Sequence, residues 1–335
     1  MRVSYDELKE LFNQILLQRG LYEDDAALLA KIVADNSLDG VYTHGVNRFP
    51  RLVSNIEDGV VDRKARAECL KSFGSFECWT GHFGIGPINA YRAMERACEL
   101  AKENGIGLVA LGWNNHWLRG STYGLLAAES GCIGICWSNT KPNMPAWGGR
   151  EPLIGNNPLI IAVPERGGVH FVFDAALSQY SYGKLEEYRL KGQELPYYGG
   201  FDDEDELTKD PAVIERNGRM LPIGFWKGSG LSIALDLVAS VLSNGASVKE
   251  VGELENERGL SQVMIAADPS LLHSRGTVDS ITSSVLEGIT SASGIDGRHL
   301  RYPGQRLAAA RKENLEQGIP VIDSVWERIL ALNKG

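Results

Sequence analysis

The middle of the chain carries Ile106-Gly107-Leu108-Val109-Ala110-Leu111, an apolar segment typical of a buried β-strand. The helix predicted before it begins near Pro87, which the first turn of a helix tolerates, and ends before Gly105. A second helix is predicted after it, through residues 123–129. A strand enclosed by two helices is typical of the α/β class, and we expect that class here.

The rest of the sequence continues the alternation of predicted strands and helices. Further strands are predicted at residues 133–137, 159–163, 170–173 and 262–266. A long apolar helix is predicted at residues 229–242. The first 60 residues are predicted to be all-helical, with Ser4 and Glu7 forming a capping box and Asp323 capping the last helix of the chain. We therefore expect a mixed sheet and a helical part formed by both termini.

The composition is that of an ordinary folded protein. The 335 residues are 43% hydrophobic and 23% charged, which is enough to bury a large core. The formal charge of −9 argues against a nucleic-acid or anionic-membrane surface, because either partner needs a basic patch. No apolar run approaches the roughly 20 residues that span a bilayer. An anionic substrate would need a local positive site, and Arg48 and Lys227 are candidates for it.

Cysteine use and the start of the chain indicate a cellular location. The five cysteines, an odd number without a CxxC pair, are Cys69, Cys78, Cys98, Cys132 and Cys136. We expect reduced thiols, with neither disulfides nor a metal site. The chain opens directly into a charged helix and has no apolar signal region. A cytoplasmic protein is therefore expected.

A candidate catalytic segment lies near the N-terminus, Gly40-Val41-Tyr42-Thr43-His44-Gly45-Val46-Asn47-Arg48-Phe49-Pro50. If it is helical, or a tight turn that leads into a helix, His44 and Arg48 share one face, because residues four apart are neighbours on a helix. A guanidinium holds a carboxylate through two charge-assisted bonds, and an imidazole can donate a proton to a developing alkoxide. This pair would suit an anionic carbonyl compound. The alternative is a solvated arginine and a hydrogen-bonded loop histidine.

A second candidate segment directly follows the central strand, Asn114-Asn115-His116-Trp117-Leu118-Arg119-Gly120. Ligands collect at such positions in α/β proteins. His116 could bind substrate oxygens or share proton transfer, flanked by amides that donate and accept hydrogen bonds. Equally, it could be a loop histidine beside a core tryptophan.

A candidate anion site opens the long apolar helix, Trp226-Lys227-Gly228-Ser229-Gly230. A lysine and free backbone N–H groups at a helix N-terminus suit a pyrophosphate. The alternative is a glycine-rich turn with an exposed lysine. The spacing is not that of a Walker P-loop.

The usual sequence signatures of a dinucleotide or metal enzyme are missing. Gly105, Gly107 and Ala110 fit the loose dinucleotide fingerprint, but they enter a strand instead of leaving one. A nicotinamide cofactor would therefore need a different fold. Asp174, at the end of the 170–173 strand, could accept a hydrogen bond from a ribose hydroxyl or from His44, or could cap a helix. Neither HExxH nor GxSxG occurs.

Taken together, these segments resemble the malate/L-lactate dehydrogenase type 2 family of NAD(P)-dependent 2-oxoacid reductases. The similarity covers nearly the whole chain and is strong in residues 1–10, 40–51, 115–117, 134–137, 157–160, 181–183, 200–203 and 225–230. The resemblance implies a non-Rossmann NAD(P)-binding fold like that of L-sulfolactate dehydrogenase, a homodimer, and a site between two domains. We expect a helical domain of residues 1–80 with 296–335, and an α/β cofactor-binding domain of residues 81–295.

The resemblance also implies roles for individual residues. It makes His44 the proton donor to the substrate carbonyl and places Arg48 and His116 beside the substrate. The positions implied to bind the cofactor are His170, Phe171, Val172, Phe173, Asp174, Ala175, Ala176, Trp226, Lys227, Gly304, Gln305 and Arg306. Gln305-Arg306 replaces a pair that ends in glutamate in relatives. Because arginine can pair a 2′-phosphate, both NADH and NADPH are open as cofactors.

The expected function is reduction of a small 2-oxo acid by NAD(P)H. Within the same family, the alternatives are a dehydrogenase of the malate, lactate or ureidoglycolate type and a cyclic imino acid reductase. A phosphate-dependent sugar enzyme using Lys227 is an alternative of a different class. A non-catalytic sensor is a third hypothesis, against which His44, His116 and Lys227 count.

Overall fold

The computed structural model describes residues 1–295 and 297–334, so residues 296 and 335, at the ends of the predicted C-terminal part, lie outside the described residues. The helices of the described residues are α1 Tyr5–Gln18, α2 Glu23–Leu38, α3 Phe49–Glu57, α4 Gly86–Asn104, α5 Ser121–Glu129, α6 Tyr182–Leu190, α7 Pro211–Asn217, α8 Trp226–Ser243, α9 Val248–Glu253, α10 Arg275–Thr290, α11 Gln305–Gln317 and α12 Asp323–Leu332. The strands are β1 Arg2–Val3, β2 Glu68–Phe73, β3 Phe76–Thr80, β4 Ile106–Asn115, β5 Ile133–Ser138, β6 Met144–Pro145, β7 Pro152–Ile154, β8 Leu159–Val163, β9 Phe171–Ala175, β10 Gly200–Phe201, β11 Leu207–Thr208, β12 Arg258–Ala267 and β13 Ile319–Pro320.

A mixed sheet of seven strands organises the described residues, in the order β2-β3-β4-β12-β5-β8-β9. β3 and β4 are parallel, whereas the other neighbouring pairs are antiparallel. β12 lies between β4 and β5 although it comes late in the chain, and its residues Val263, Met264 and Ala266 are fully buried. The predicted α/β class with a mixed sheet is confirmed.

The helical part has its own core, to which both ends of the chain contribute. On α1, Leu8, Phe12, Ile15 and Leu16 recur at helical spacing and are fully buried. Each stabilises the fold by roughly 1.5–3 kcal/mol relative to an exposed side chain. Trp326 and Ile329 of α12 join the same core. The predicted helical part formed by both termini is therefore confirmed as a feature of the fold.

Two local predictions at the termini are wrong. Arg2–Val3 is a strand, paired antiparallel with Ile319–Pro320, so the first 60 residues are not all-helical. Burial of Val3 favours this pairing, and two residues are too few to give a periodic signal. Asp323 is the first residue of α12 and not its cap; its carboxylate accepts a hydrogen bond from the amino group of Met1 at 2.9 Å.

The sheet includes the hairpin β2–β3, because β3 pairs with β4 along its whole length. These hydrogen bonds link residues 68–80 to the sheet, although the predicted division places them in the helical domain. The division of the chain into two domains at residue 80 stays a prediction. Within residues 1–295 and 297–334, every helix is too short or too polar to cross a membrane.

Candidate active site

The turn that carries His44 packs tightly against α2. Residues 42–44 form one turn of 3₁₀ helix, which ends at Gly45. A Cβ atom at Gly45 would collide with the Ser37 hydroxyl, and that hydroxyl accepts a hydrogen bond from the N–H of Val46 at 2.8 Å. Of the two predicted forms of this segment, the structure shows the tight turn that leads into a helix, since α3 begins only at Phe49. Arg48 directly precedes α3, and its charge still acts on His44.

His44 and His116 lie face to face. Their ring centroids are 6.0 Å apart and their planes differ by 6°. His116 lies in the loop after β4, where its Nδ1 accepts a hydrogen bond from the N–H of Leu118 at 3.1 Å. An accepting Nδ1 carries no proton, so the ring is neutral with its proton on Nε2. His116 can therefore donate a hydrogen bond from Nε2.

The surroundings of both imidazoles favour the neutral form. Burial is the largest cause that lowers the pKa of His44, and unfavourable electrostatic interactions with His116, Arg48 and Arg119 add to it, so that this pKa falls to about 3. Burial also lowers the pKa of His116, an effect that the carboxylate of Glu257 opposes. Without a ligand, the site holds a neutral His44 next to cations.

Hydrogen bonds fix the backbone around His44. The amide of Asn36 donates to the carbonyl oxygen of His44 at 3.0 Å and accepts from the hydroxyl of Thr122 at 2.9 Å. The Thr43 hydroxyl lies 3.3 Å from His44 Nδ1. The turn is thereby connected to the first turn of α5, which follows the His116 loop.

Two of the predicted cofactor segments pack against each other. The N–H of Val172 on β9 donates to the carbonyl of Pro303 at 2.9 Å. Gly304 has a φ of +114°, and a Cβ atom there would collide with the carbonyl oxygen of His170. Only glycine therefore fits at this contact. β9 is an edge strand of the sheet, so segment 302–304 covers part of its free edge.

The third predicted cofactor segment begins beside the end of the same strand. Ile223 donates through its N–H to the carbonyl of Leu177 at 2.9 Å, and α8 starts three residues later at Trp226. Trp226 is 61% exposed, and Lys227 Nζ lies 5.4 Å from the centroid of its indole ring. Segments 170–176 and 304–306 therefore meet at β9, and segment 226–227 follows three residues after the contact between Ile223 and Leu177.

Asp174, on β9, points its carboxylate at the first residue of α5. One of its carboxylate oxygens accepts a hydrogen bond from the N–H of Ser121 at 2.8 Å. This bond satisfies one of the free N–H groups at that helix N-terminus, in agreement with the alternative of a capping role. The role of Asp174 toward a ribose hydroxyl stays a prediction.

Several residues that support the histidines were not singled out from the sequence, namely Asn36, Asp39, Arg119 and Glu257. Arg119 forms a buried ion pair with Asp39 at 2.6 Å. Arg119 lies three residues after His116 in the quoted segment 114–120, and this proximity is the sequence feature that could have indicated its role. Asp39 and Glu257 are distant in sequence from the partners they serve, so no local pattern identifies them.

The described residues of this site do not form a metal-binding cluster. Among residues 1–295 and 297–334, no three His, Cys, Asp or Glu side chains are arranged to hold a metal ion. The site consists of a histidine pair beside arginine, with an edge strand and two glycine-containing segments next to it. Such an arrangement can transfer a proton while a bound cofactor performs redox chemistry. Such a site would suit an oxidoreductase that acts on a CH–OH or oxo group.

Comparison with known proteins gives the family. Residues 3–330 match the malate/L-lactate dehydrogenase family, and the chain belongs to it. The chain is 47% identical over 334 residues to 2,3-diketo-L-gulonate reductase of Citrobacter koseri, covering 99% of this chain and 100% of that protein. Membership of a dehydrogenase family implies a nicotinamide cofactor. The family predicted from the sequence is confirmed.

Solved structures agree on the fold. Malate dehydrogenase of Entamoeba histolytica superimposes with a TM-score of 0.94 at 24% identity, covering 100% of this chain and 97% of that chain. Sulfolactate dehydrogenase of Methanocaldococcus jannaschii gives a TM-score of 0.90 at 25% identity, with the same coverage. The predicted fold resembling that of L-sulfolactate dehydrogenase is confirmed.

Proposed function

We propose that this protein is an NAD(P)H-dependent reductase of a 2-oxo acid, and that 2,3-diketo-L-gulonate, the substrate in the name of its 47% identical relative, is its substrate. The observation that carries the proposal is the stacked pair of His44 and His116 beside the half-buried Arg48. One side chain supplies a proton, one orients an oxygen and one binds a carboxylate. These are the groups that a 2-oxo acid needs.

Arg48 holds the substrate carboxylate. Its guanidinium can form two parallel charge-assisted hydrogen bonds with a carboxylate, which fixes both position and orientation. The N–H at Nε2 of His116 donates to a substrate oxygen, because Nδ1 of that ring is occupied by the backbone of Leu118. The two contacts together orient the carbonyl group toward His44.

His44 donates the proton in the reduction. Before the substrate binds, its pKa of about 3 keeps the ring neutral. A substrate carboxylate on Arg48 offsets part of the positive charge that lowers this pKa, so substrate binding favours uptake of a proton by His44. The imidazolium then protonates the developing alkoxide. In the oxidation direction, the neutral ring accepts the hydroxyl proton.

The residues along β9 fit a dinucleotide. Lys227 and Arg306 are exposed, and neither has a carboxylate partner in the described parts of the chain, so both can pair phosphate. The close backbone approach at Gly304 leaves no room for a side chain between segment 302–304 and β9. A bound nicotinamide would supply the hydride. NADPH is accepted as well as NADH in this proposal, because Arg306 can pair a 2′-phosphate.

The proposal includes a homodimer in the cytoplasm. Apolar side chains are exposed along α8 and α10, among them Leu237 at 60%, Val241 at 76%, Ile281 at 59% and Val285 at 59%. Exposed apolar surface of this kind favours association. Each of the five cysteines is a free thiol, in agreement with a reducing compartment. Light scattering after size-exclusion chromatography would test the dimer.

Oxidation of NADH and of NADPH should be followed at 340 nm over a panel of 2-oxo acids. The panel should include 2,3-diketo-L-gulonate, oxaloacetate, pyruvate and a cyclic imino acid. We expect the highest kcat/KM with 2,3-diketo-L-gulonate. A higher value with the imino acid would indicate the alternative reductase. Inactivity with every compound and both cofactors would contradict the proposal and favour a sensor or a phosphate-dependent enzyme.

A further inference from the structure

A buried ion pair connects the two loops that carry the histidines. Arg119 follows His116 in the loop after β4, and Asp39 is the residue at the end of α2 that leads into the His44 turn. Their Nη1 and Oδ2 atoms are 2.6 Å apart, and the two side chains are only 3% and 5% exposed. The Nε atom of Arg119 also donates to the Ser121 hydroxyl at 2.5 Å. This pair therefore fixes one histidine loop against the other.

The charge of Arg119 is only partly offset. Asp39 divides its carboxylate between two cations, since its other oxygen accepts from Arg311 of α11 at 2.7 Å. The remaining nitrogen of Arg119, Nη2, is buried and has no hydrogen-bond partner among the residues described. A buried guanidinium with an unused donor lowers the stability of the fold, and this cost points to a functional role for Arg119.

The positive field of Arg119 reaches His44. The other charged or titratable groups that act on His44 are Arg48 and His116, and none of the three is an acid. Glu257 acts on His116 and Arg48. His44 thus lies among groups that disfavour its protonation, and Arg119 is the one among them that is fully enclosed by the protein.

We propose that Arg119 is a positioning residue of the reaction, which holds the His44 turn against the His116 loop through its buried ion pair with Asp39 and places a fixed positive charge that acts on His44. This inference rests on the proposed function, in which His44 transfers the proton. It assigns part of the control of proton uptake by His44 to a side chain that does not touch the substrate. A bound anion favours this proton uptake, so a neutral ketone should be reduced more slowly.

The variant Arg119→Met tests the inference, because Asp39 keeps its bond to Arg311 and is not left alone. The ring signal of His44, assigned by its loss in His44→Asn, should be titrated by NMR without ligands. We expect its midpoint to rise by roughly half a pH unit when the like charge is removed. We also expect kcat to fall by about tenfold or more, because the ring is held less well. Arg119→Lys should return the midpoint toward the wild-type value.

Controls separate this role from simple packing. Arg96→Met removes an arginine that is paired with the buried carboxylate of Glu77, outside the site, and should change neither readout. If Arg119→Met does not fold, Arg119→Gln removes the charge but keeps a hydrogen-bond donor for Asp39, and the same rise of the His44 midpoint is expected. A folded variant with an unchanged His44 midpoint would overturn the inference, whether or not kcat falls. A wild-type protein inactive with every 2-oxo acid would contradict the proposed function instead, and the titration would still report on Arg119.

Discussion

The imidazole rings of His44 and His116 are parallel within 6°, with 6.0 Å between their centroids. The ring of His116 is fixed as a neutral donor by the backbone N–H of Leu118, whereas Nδ1 of His44 lies next to the Thr43 hydroxyl. The two histidines are therefore not interchangeable. His44 is free to change its protonation state, whereas His116 would have to break a hydrogen bond to do so.

We predict that His44→Asn lowers kcat by about 10²-fold or more, because general acid help from one histidine is worth ~10²–10⁴-fold. Asparagine keeps a polar group at the position, so folding and NADH binding should be unchanged. Stopped-flow turnover, thermal unfolding and NADH fluorescence titration check this. His82→Asn, at an exposed histidine that contacts Glu68, is the control. Near-normal turnover of the His44 variant would remove this residue from the mechanism.

The pH dependence of stability offers a second prediction. The pKa of His44 is lowered in the folded protein from 6.5 to about 3, so the unfolded chain binds more protons between these values. The stabilisation from a neutral His44 is therefore complete above pH 6.5 and is lost as the pH falls toward 3. Urea unfolding at several pH values should show a shallower decline in His44→Asn than in the wild type. Equal slopes for the two proteins would contradict the lowered pKa.

The local pattern of apolar and polar residues was sufficient to predict many of the helices and strands. The helix predicted through residues 123–129 lies within α5, Ser121–Glu129, and the predicted strand at 106–111 is the first part of β4. Pattern did not reveal that β12 pairs with both β4 and β5, because pairing between segments so distant in sequence depends on tertiary packing. Sequence motifs singled out His44, His116 and segment 226–230, and the family resemblance implied their roles and the remaining cofactor segments. Neither identified Asp39 as the partner of Arg119, which is 80 residues away.

Gly304→Ala should weaken cofactor binding. The φ of +114° and the contact with the His170 carbonyl exclude a side chain, so segment 302–304 must move away from β9. We expect a stability loss of about 1–3 kcal/mol from the backbone conformation and a clearly raised Kd for NADH. Calorimetry and fluorescence titration check the two effects. Gly288→Ala on α10, where a Cβ atom meets nothing within 4 Å, is the matched control. An unchanged Kd in the Gly304 variant would separate this segment from the cofactor.

Arg48→Gln should raise KM for a 2-oxo acid while leaving NADH affinity unchanged. A hydrogen bond to a charged group contributes about 1.5–3 kcal/mol, so loss of one such bond raises KM at least about tenfold. Arg48→Lys keeps the charge but not the planar pair of donors, and we expect an intermediate KM. Steady-state kinetics and NADH titration measure both quantities, with Arg328→Gln on the exposed side of α12 as the control. If NADH affinity fell while KM for the acid did not change, Arg48 would belong to the cofactor, and the carboxylate would need another partner.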